Sequence, residues 1–376
     1  MEAVFWMSVG VVIYAYFGYP LLLLVLSKVV KRTVKVQDIT PRVTIIIPNY
    51  NEKKRIAQKL DNMLAVDYPR ELMEIIVASD CSTDGSDDIV RSYADRGVKL
   101  VRQNERRGKH YVQGLALQEA TADIIVFTDA SILLPEDAIR KIVRNFADPT
   151  IGCVSSTDRI LAEDGTVNTE GVYIRYDMLL RKLESVVGSS TGMSGSFYAA
   201  RKVLCEDWIP NMSNDFYIPI RAVMGGYRAI LDQEVFGYYR LVGSYKHEFI
   251  RKVRTIVHGL QVLFHYADIM NVFRYPFYSV EIISHKLGRW VVPFFMLWAF
   301  VTNIFLAGQS LFYYITMIAQ AAFYVIAILA FIAPGFKSIM PVRIVYFFTM
   351  ANASILWAWV RYLGGEMYES WEPSKR

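Results

Sequence analysis

The sequence contains few cysteines and few histidines, and neither set has the spacing of a functional site. The three cysteines, Cys81, Cys153 and Cys205, are odd in number and far apart, and no histidine stands beside them. A disulfide framework or a zinc site is therefore not indicated, and a reducing compartment is the simplest interpretation. The five histidines are scattered along the chain, and we assign none of them a catalytic role.

A strong excess of one charge is also missing. Lysine and arginine number 41 against 36 aspartates and glutamates, which gives a net charge of +5. The basic residues are dispersed or stand next to apolar segments, a pattern that suits an anionic membrane surface and anionic substrates better than duplex DNA. We therefore predict no nucleic-acid partner.

Apolar residues, by contrast, are abundant and come in long runs. They make up 53% of the chain, with 20% charged residues, so the composition predicts both membrane helices and a soluble domain. Runs long enough to cross a bilayer lie at residues 4–26, 290–307, 311–333 and 342–363. The first run lacks a basic leader and a small-residue cleavage site, and we predict a retained anchor.

Basic residues after the first run predict the orientation of the chain. Lys28, Lys31, Arg32 and Lys35 place the following domain in the cytoplasm, at an inner or plasma membrane. The predicted division is an anchor with its basic flank at 1–35, a soluble domain at 40–256, an interfacial amphipathic segment at 257–288, three membrane helices at 289–363 and a tail at 364–376.

The soluble domain alternates strand and helix patterns. The β-branched apolar runs predict strands at residues 43–47, 74–78, 98–102 and 124–128, and the spacing between them predicts helices at 52–64, 86–94 and 109–120. This alternation predicts a parallel sheet of α/β class.

Acidic residues stand at the ends of two of these runs. Asp80 follows the second strand and Asp129 follows the fourth, so both are expected at the carboxyl edge of the sheet, where open α/β sheets bind ligands. Asp215 is a third acid in the same domain. Carboxylates can hold a divalent cation, bond a base and accept a proton, which together suggest a nucleotide-sugar site.

Further short motifs follow one another along the same domain. They are Ile47-Pro48-Asn49-Tyr50-Asn51-Glu52, Arg107-Gly108-Lys109, Gly192-Met193-Ser194-Gly195-Ser196 and Asn214-Asp215. With these motifs in this order, residues 43–255 resemble the family 2 glycosyltransferases, which are inverting enzymes, and in particular the membrane-embedded branch that includes cellulose and hyaluronan synthases. The resemblance implies a Rossmann-like GT-A domain with one N-terminal and three C-terminal transmembrane helices.

The resemblance also implies a role for each motif. Donor nucleotide binding is expected from Pro48, Tyr50, Glu52, Asp80, Gly108, Lys109 and Arg254. Acceptor binding is expected from Gly192, Ser194, Gly195 and Asn214. Mg²⁺ or Mn²⁺ is expected at Asp129 and Ser131, and Asp215 is expected to be the catalytic base.

The sequence departs from the family at two places. Ser131 stands where the family has a second acid, and a hydroxyl is a weaker ligand, so the cation is expected to depend on Asp129, the donor diphosphate and water. Thr255 stands where synthases carry a tryptophan that stacks on the acceptor sugar. This second departure weakens the case for a processive polymerase.

Simpler roles stay open for the same residues. Asp80 and Asp84 have the composition of a turn and helix cap, and the pair Asn214-Asp215 is typical of a cap for a helix beginning near Phe216. Arg107-Gly108-Lys109 is equally typical of a solvated basic turn, and Arg254 of a solvated helix face.

We expect an inverting, metal-dependent hexosyltransferase at the cytoplasmic membrane face. Its donor is a UDP-sugar, with a GDP-sugar as the alternative, and its acceptor a growing polysaccharide or lipid-linked glycan. The alternatives are a single-addition transferase on a polyprenyl-linked glycan and a non-catalytic nucleotide-binding membrane protein. Membrane lipids are expected partners, and because four spans make a narrow bundle, a polymer channel suggests an export partner or a second copy.

Overall fold

The computed structural model describes residues 1–161, 167–168, 172–240 and 245–366. They fall into two compact units. The larger unit runs from Leu23 to the strand that ends at Arg240 and includes Gln261–Ser279. The helical unit contains Met1–Leu22, the chain from Tyr245 to Leu260, and the chain after Val280. Beyond Glu366, the predicted tail lies outside the described residues.

The larger unit is built on a sheet whose described part has eight strands in the order β3-β2-β1-β4-β7-β5-β6, with β8 paired to β5. The strands are β1 Val43–Asn49, β2 Met73–Asp80, β3 Val98–Gln103, β4 Ile124–Thr128, β5 Ile151–Leu161, β6 Val167–Asn168, β7 Phe197–Arg201 and β8 Arg228–Arg240.

The first four strands pair in parallel, as the sequence predicts. β1 lies between β2 and β4, and β3 pairs with the outer edge of β2. Every residue of β1 and of β4 is buried, which explains why their sequences are continuous apolar runs rather than alternating ones. All four predicted strands are confirmed within these bounds.

The second half of the sheet is mixed. β7 pairs antiparallel with β4 and with β5, whereas β8 pairs parallel with β5. The register of the first pair sets Phe197, the first residue of β7, opposite Thr128, the last residue of β4. The segment that precedes β7 therefore enters the sheet beside Asp129.

The α-helices are distributed over both units. They are α1 Glu2–Ile13, α2 Tyr19–Val29, α3 Ile56–Leu64, α4 Ser86–Arg91, α5 Lys109–Glu119, α6 Ala138–Val143, α7 Val172–Val187, α8 Asn214–Met224, α9 Tyr245–His265, α10 Pro276–Ile282, α11 Gly288–Leu306, α12 Leu311–Ile332 and α13 Met340–Leu363. α3 begins at Ile56, later than the predicted start at residue 52, and the turn before it is bonded to Glu52 through the amides of Arg55 and Ile56.

Helix α5 packs against an aromatic group. The Trp208 ring stacks on Phe127 of β4 at a centroid distance of 5.7 Å and meets Tyr217 edge to face at 5.8 Å. Its Nε1 donates to the His110 carbonyl in the first turn of α5. Gly114 faces this ring, since a Cβ added there would lie 2.6 Å from Trp208 Cδ1.

Long apolar helices occupy both ends of the chain. Among the described residues, three helices are long and apolar enough to cross a membrane, namely Glu2–Val29, Pro276–Leu306 and Leu311–Ile332. The fourth predicted span is α13, which has 24 residues but is less apolar than these three. The described ranges of the chain therefore contain one N-terminal and three C-terminal apolar helices.

The helix that contains the second span begins before the apolar run at 290. Helical residues continue from Pro276 through a π-turn at Ile283–Leu287 into α11. Within this stretch His285 and Arg289 are buried and bonded to each other, with 3.1 Å between Nε2 and Nη1. Hydrophobicity alone did not reveal this polar pair.

Replacing Gly114 with alanine is expected to destabilise the protein, although alanine usually favours a helix by about 1 kcal/mol over glycine. The added methyl would overlap the Trp208 ring, and overpacking typically costs about 1–3 kcal/mol. We expect a lower midpoint of thermal unfolding in detergent.

The matched control is Gln118→Ala, an exposed position on the same helix. It should change the free energy of unfolding by less than about 0.5 kcal/mol, so its midpoint should stay close to that of the wild type. A Gly114→Ala protein as stable as the wild type would contradict the packing described for Trp208.

Candidate active site

Two loops at the carboxyl edge of the sheet are joined by a buried polar network. The Asn49 side chain at the end of β1 donates to Ser82 Oγ at 3.2 Å and to Ser86 Oγ at 3.1 Å. In the same network the Asn51 amide donates to Ser82 Oγ, and Asn51 Oδ1 accepts from the Thr83 amide. The loop after β1 and the loop after β2 therefore form one surface.

Asp84 has the turn role that the sequence left open for it. Its carboxylate accepts from the backbone amides of Lys53 at 2.8 Å and Ser86 at 2.9 Å. Burial opposes ionisation of this group, but hydrogen bonds from Ser86 and from the Lys53 amide outweigh it, and the pKa of Asp84 lies below its ordinary value.

Asp80 anchors the loop that precedes α5. Its side chain is almost fully buried at the end of β2, and its two carboxylate oxygens accept from the backbone amides of Arg107 and Gly108, each at 2.8 Å. Gly108 has φ +95°, a conformation that favours glycine. The turn from which Lys109 projects is thus fixed by Asp80.

The loops of the predicted donor site also meet through a cation–π contact. The Arg106 guanidinium lies 4.1 Å from the centre of the Tyr50 ring. Glu52, in the same loop as Tyr50, is 5% exposed and pairs with Arg55 at 2.8 Å. Pro48 is buried within β1. These predicted donor residues therefore lie at the same end of the sheet as Asp80.

Lys109 connects Asp129 with the predicted acceptor loop. Its Nζ lies 2.6 Å from Asp129 Oδ1 and 3.0 Å from the Gly195 carbonyl oxygen. The two charged side chains are only 12% and 21% exposed. The sequence did not predict the ion pair between Lys109 and Asp129, because the two residues are 20 positions apart.

The predicted acceptor loop, residues 192–196, is bonded to both Asp129 and Asp215. The Asp129 amide donates to the Ser196 carbonyl at 2.9 Å, and the Met193 amide donates to the Asp215 carbonyl at 2.9 Å. Ser194 is held by a bond from its hydroxyl to Asp158 at 2.7 Å. The antiparallel pairing of β7 with β4 is what brings this loop to Asp129.

Asp215 stands in the first turn of α8, close to the backbone of Gly195. A Cβ added at Gly195 would lie 3.0 Å from Asp215 Oδ2. The Ser213 hydroxyl donates to the other carboxylate oxygen of Asp215. The helix begins at Asn214, so its cap position falls on Ser213, and the interpretation of Asn214-Asp215 as the cap was wrong.

The remaining predicted residues have mixed surroundings. Asn214 is buried and donates to Gln113 Oε1 of α5 at 2.9 Å, and the Gly192 carbonyl accepts from Ser190 Oγ at 2.7 Å. Ser131 is half-buried, two residues after Asp129. Arg254 lies in α9 within the helical unit, so its contact with a diphosphate stays a prediction.

A second lysine lies beneath Asp129. Lys59 of α3 is fully buried, and its Nζ donates to Thr128 Oγ1 at 2.8 Å and to the Ile132 carbonyl at 2.7 Å. Burial lowers the pKa of Lys59 to about 7, and the nearby charge of Asp129 opposes that shift. The segment that contains Asp129 and Ser131 is therefore fixed on both sides.

The oxygen donors near Asp129 fit a cation that is held largely by a bound ligand. No group of three or more His, Cys, Asp or Glu side chains in the described parts of the chain could hold a metal ion. Asp129 and Ser131 supply a carboxylate and a hydroxyl, which are hard ligands. Mg²⁺ is commonly held in this way, by one or two carboxylates together with substrate phosphates and water.

Comparison with known proteins agrees with this geometry. Residues 44–204 match the family model described as Glycosyl transferase family 2. The matched range includes Asp80, Lys109 and Asp129 but ends before Asp215. A poly-beta-1,6-N-acetyl-D-glucosamine synthase of Staphylococcus aureus is 24% identical over 280 residues, which are 70% of this chain and 64% of that protein.

A solved structure is similar over nearly the whole chain. It is a mannosyltransferase from Pyrobaculum calidifontis in complex with GDP-Man and Mn²⁺, and it is 26% identical with a TM-score of 0.74. The similarity covers 96% of this chain and 99% of that protein. Residues 44–204 are therefore similar to the glycosyl transferase family 2 domain, and the sheet that contains them has the GT-A fold.

Proposed function

We propose that this protein transfers a sugar from a nucleotide-sugar donor to a growing polysaccharide or lipid-linked glycan, with inversion at the anomeric carbon. One observation carries the proposal. The Lys109 ammonium touches both Asp129 and Gly195, and Gly195 lies against the Asp215 carboxylate. A continuous path of contacts thus joins the predicted metal ligand, the acceptor loop and the predicted base.

The donor nucleotide is proposed to lie along the edge formed by the loops after β1 and β2. Pro48, Tyr50 and Glu52 border this edge, and Asp80 is the proposed acceptor for the N3 proton of uracil. Because Asp80 already accepts two backbone bonds, it also positions Gly108 and Lys109 for the diphosphate. The free backbone amides at the start of α5 attract an anion such as the diphosphate. Arg254 is a further proposed contact of the diphosphate.

The proposed metal site consists of Asp129 and Ser131, with the diphosphate supplying the other ligands. When bound, Mg²⁺ or Mn²⁺ would neutralise charge on the departing nucleoside diphosphate. The Mn²⁺ in the complex of the Pyrobaculum calidifontis mannosyltransferase supports the use of a divalent cation with the donor.

Asp215 is proposed to remove the proton from the acceptor hydroxyl. Inversion requires a base on the face of the sugar opposite the leaving diphosphate, and a half-buried carboxylate on a helix is suitable for that task. Gly192, Ser194, Gly195 and Asn214 are the proposed acceptor contacts. The bond from Ser213 keeps one carboxylate oxygen of Asp215 in a defined orientation.

Two similar proteins support different details of the proposed reaction. The similarity to the Staphylococcus aureus synthase favours repeated addition, but the chain spans only about 64% of that protein. The similarity to the mannosyltransferase covers nearly the whole of both chains and favours a GDP-sugar as the second candidate donor.

We propose that the domain works at the cytoplasmic membrane face, as the residues from Lys28 to Lys35 suggest.

Incubation with single donors tests the function directly. We expect purified full-length protein to release UDP or GDP from one nucleotide-sugar in the presence of Mg²⁺ or Mn²⁺ and a glycan acceptor. Mass spectrometry of the product then distinguishes a ladder of lengths, which means polymerisation, from a single mass step. Binding of nucleotide without release from any donor would contradict catalysis and favour a non-catalytic binding protein.

Asp215→Asn is expected to lower turnover roughly 10²- to 10⁴-fold, because the amide cannot accept the proton. Nucleotide affinity, measured by isothermal titration calorimetry, should stay near the wild-type value. Asp95→Asn, at an exposed position of the same domain, serves as the control and should leave turnover unchanged. Near-normal turnover in Asp215→Asn would remove its assignment as the base.

Gly195→Ala is expected to lower kcat by roughly 10-fold, because the new methyl would lie 3.0 Å from Asp215 Oδ2 and shift this carboxylate slightly from its position. The donor KM should change much less than kcat. Gly308→Ala, where an added Cβ meets no atom within 4 Å, is the control. An unchanged kcat in Gly195→Ala would show that the approach of Gly195 to Asp215 does not matter for catalysis.

A further inference from the structure

Lys109 holds the carboxylate that a metal ion would need. Its Nζ is 2.6 Å from Asp129 Oδ1, and both side chains are largely shielded from water. A second bond, 3.0 Å long, joins the same ammonium to the Gly195 carbonyl. A charge-assisted pair in a shielded place is stronger than a pair exposed on the surface.

A divalent cation and this ammonium cannot share the Asp129 carboxylate at low cost. Both are cations, and their repulsion at a few ångströms is weakly screened where water is scarce. Among the described residues no cluster of acids or histidines offers a compensating set of ligands. The ammonium therefore has to leave before the cation binds.

The backbone of the loop does not have to move for this exchange. The amides of Arg107 and Gly108 are held by Asp80, so the base of the Lys109 side chain stays in place. The lysine side chain is a flexible four-carbon stem that carries a point charge, so its tip can move alone. A donor diphosphate is an anion that attracts both the ammonium and the metal ion.

We propose that Lys109 excludes divalent cations from Asp129 in the nucleotide-free protein and passes its ammonium to the diphosphate when the donor binds. The inference rests on the proposed function because it takes Asp129 as a metal ligand. Metal and nucleotide then bind cooperatively, and the empty enzyme holds the metal weakly.

Mn²⁺ binding tests the inference without an activity assay. The signal of free Mn²⁺ in electron paramagnetic resonance is measured for the full-length protein in detergent, first without nucleotide and then with UDP or GDP. For the wild type we expect at least about tenfold tighter Mn²⁺ binding when nucleotide is present. For Lys109→Met we expect nucleotide-free binding about tenfold tighter than in the wild type, because the competing charge is gone.

Lys99→Met is the matched control. Lys99 forms an ion pair with Glu119 at 2.5 Å, but both side chains are about half exposed. The variant removes the same charge from the same domain without touching Asp129, and its Mn²⁺ affinity should equal that of the wild type. Lys109→Gln, which also lacks the charge, repeats the test should the methionine variant fold poorly.

Two results would overturn the inference alone, and a third would overturn the proposed metal site as well. One is a wild type that binds Mn²⁺ equally well with and without nucleotide, a result that needs no variant. The other is a Lys109→Met protein whose nucleotide-free affinity for Mn²⁺ matches the wild type. Nucleotide binding without any Mn²⁺ binding would refute both this inference and the metal site of the proposed function, whereas an unchanged variant refutes the inference alone.

Discussion

The pair of hydrogen bonds between Asp80 and the turn before α5 is the constraint on which the site depends. A buried carboxylate must be satisfied, and here the amides of Arg107 and Gly108 satisfy it from a loop that has no regular structure of its own. Those bonds fix where Lys109 begins, and Lys109 in turn reaches Asp129 and the acceptor loop. Asp80 therefore influences the chemistry through the loop as well as through any direct contact with a ligand.

The parallel half of the sheet was predictable because its signals are local. Each of the first four strands is a short β-branched run, and turn-forming residues follow it, so period and composition agree. The same reasoning placed Asp80 and Asp129 at strand ends, and the observed ends of β2 and β4 have these positions. A helix start at Lys109 was likewise visible because Gly108 precedes it.

The relations that make the residues a site were not predictable, since they depend on pairing between distant segments. β7 runs antiparallel beside β4, and only this register sets the acceptor loop next to Asp129. The approach of Gly195 to Asp215 and the ion pair of Lys109 with Asp129 have no signature in either local sequence. The family resemblance named these residues individually, but it did not show how one contacts another.

Lys59 holds the segment around Asp129 in place, and its burial costs stability. A fully buried amine is an expensive group, and its lowered pKa of about 7 measures how poorly the charge is tolerated there. One of its bonds goes to the Thr128 hydroxyl and the other to the Ile132 backbone carbonyl, so Lys59 is bonded to the chain on both sides of the proposed metal ligands Asp129 and Ser131. An apolar side chain of similar size would fill the space but would lose the bonds to the Thr128 hydroxyl and the Ile132 carbonyl. The polar group is better explained by the position it imposes on Asp129 than by any contribution to folding.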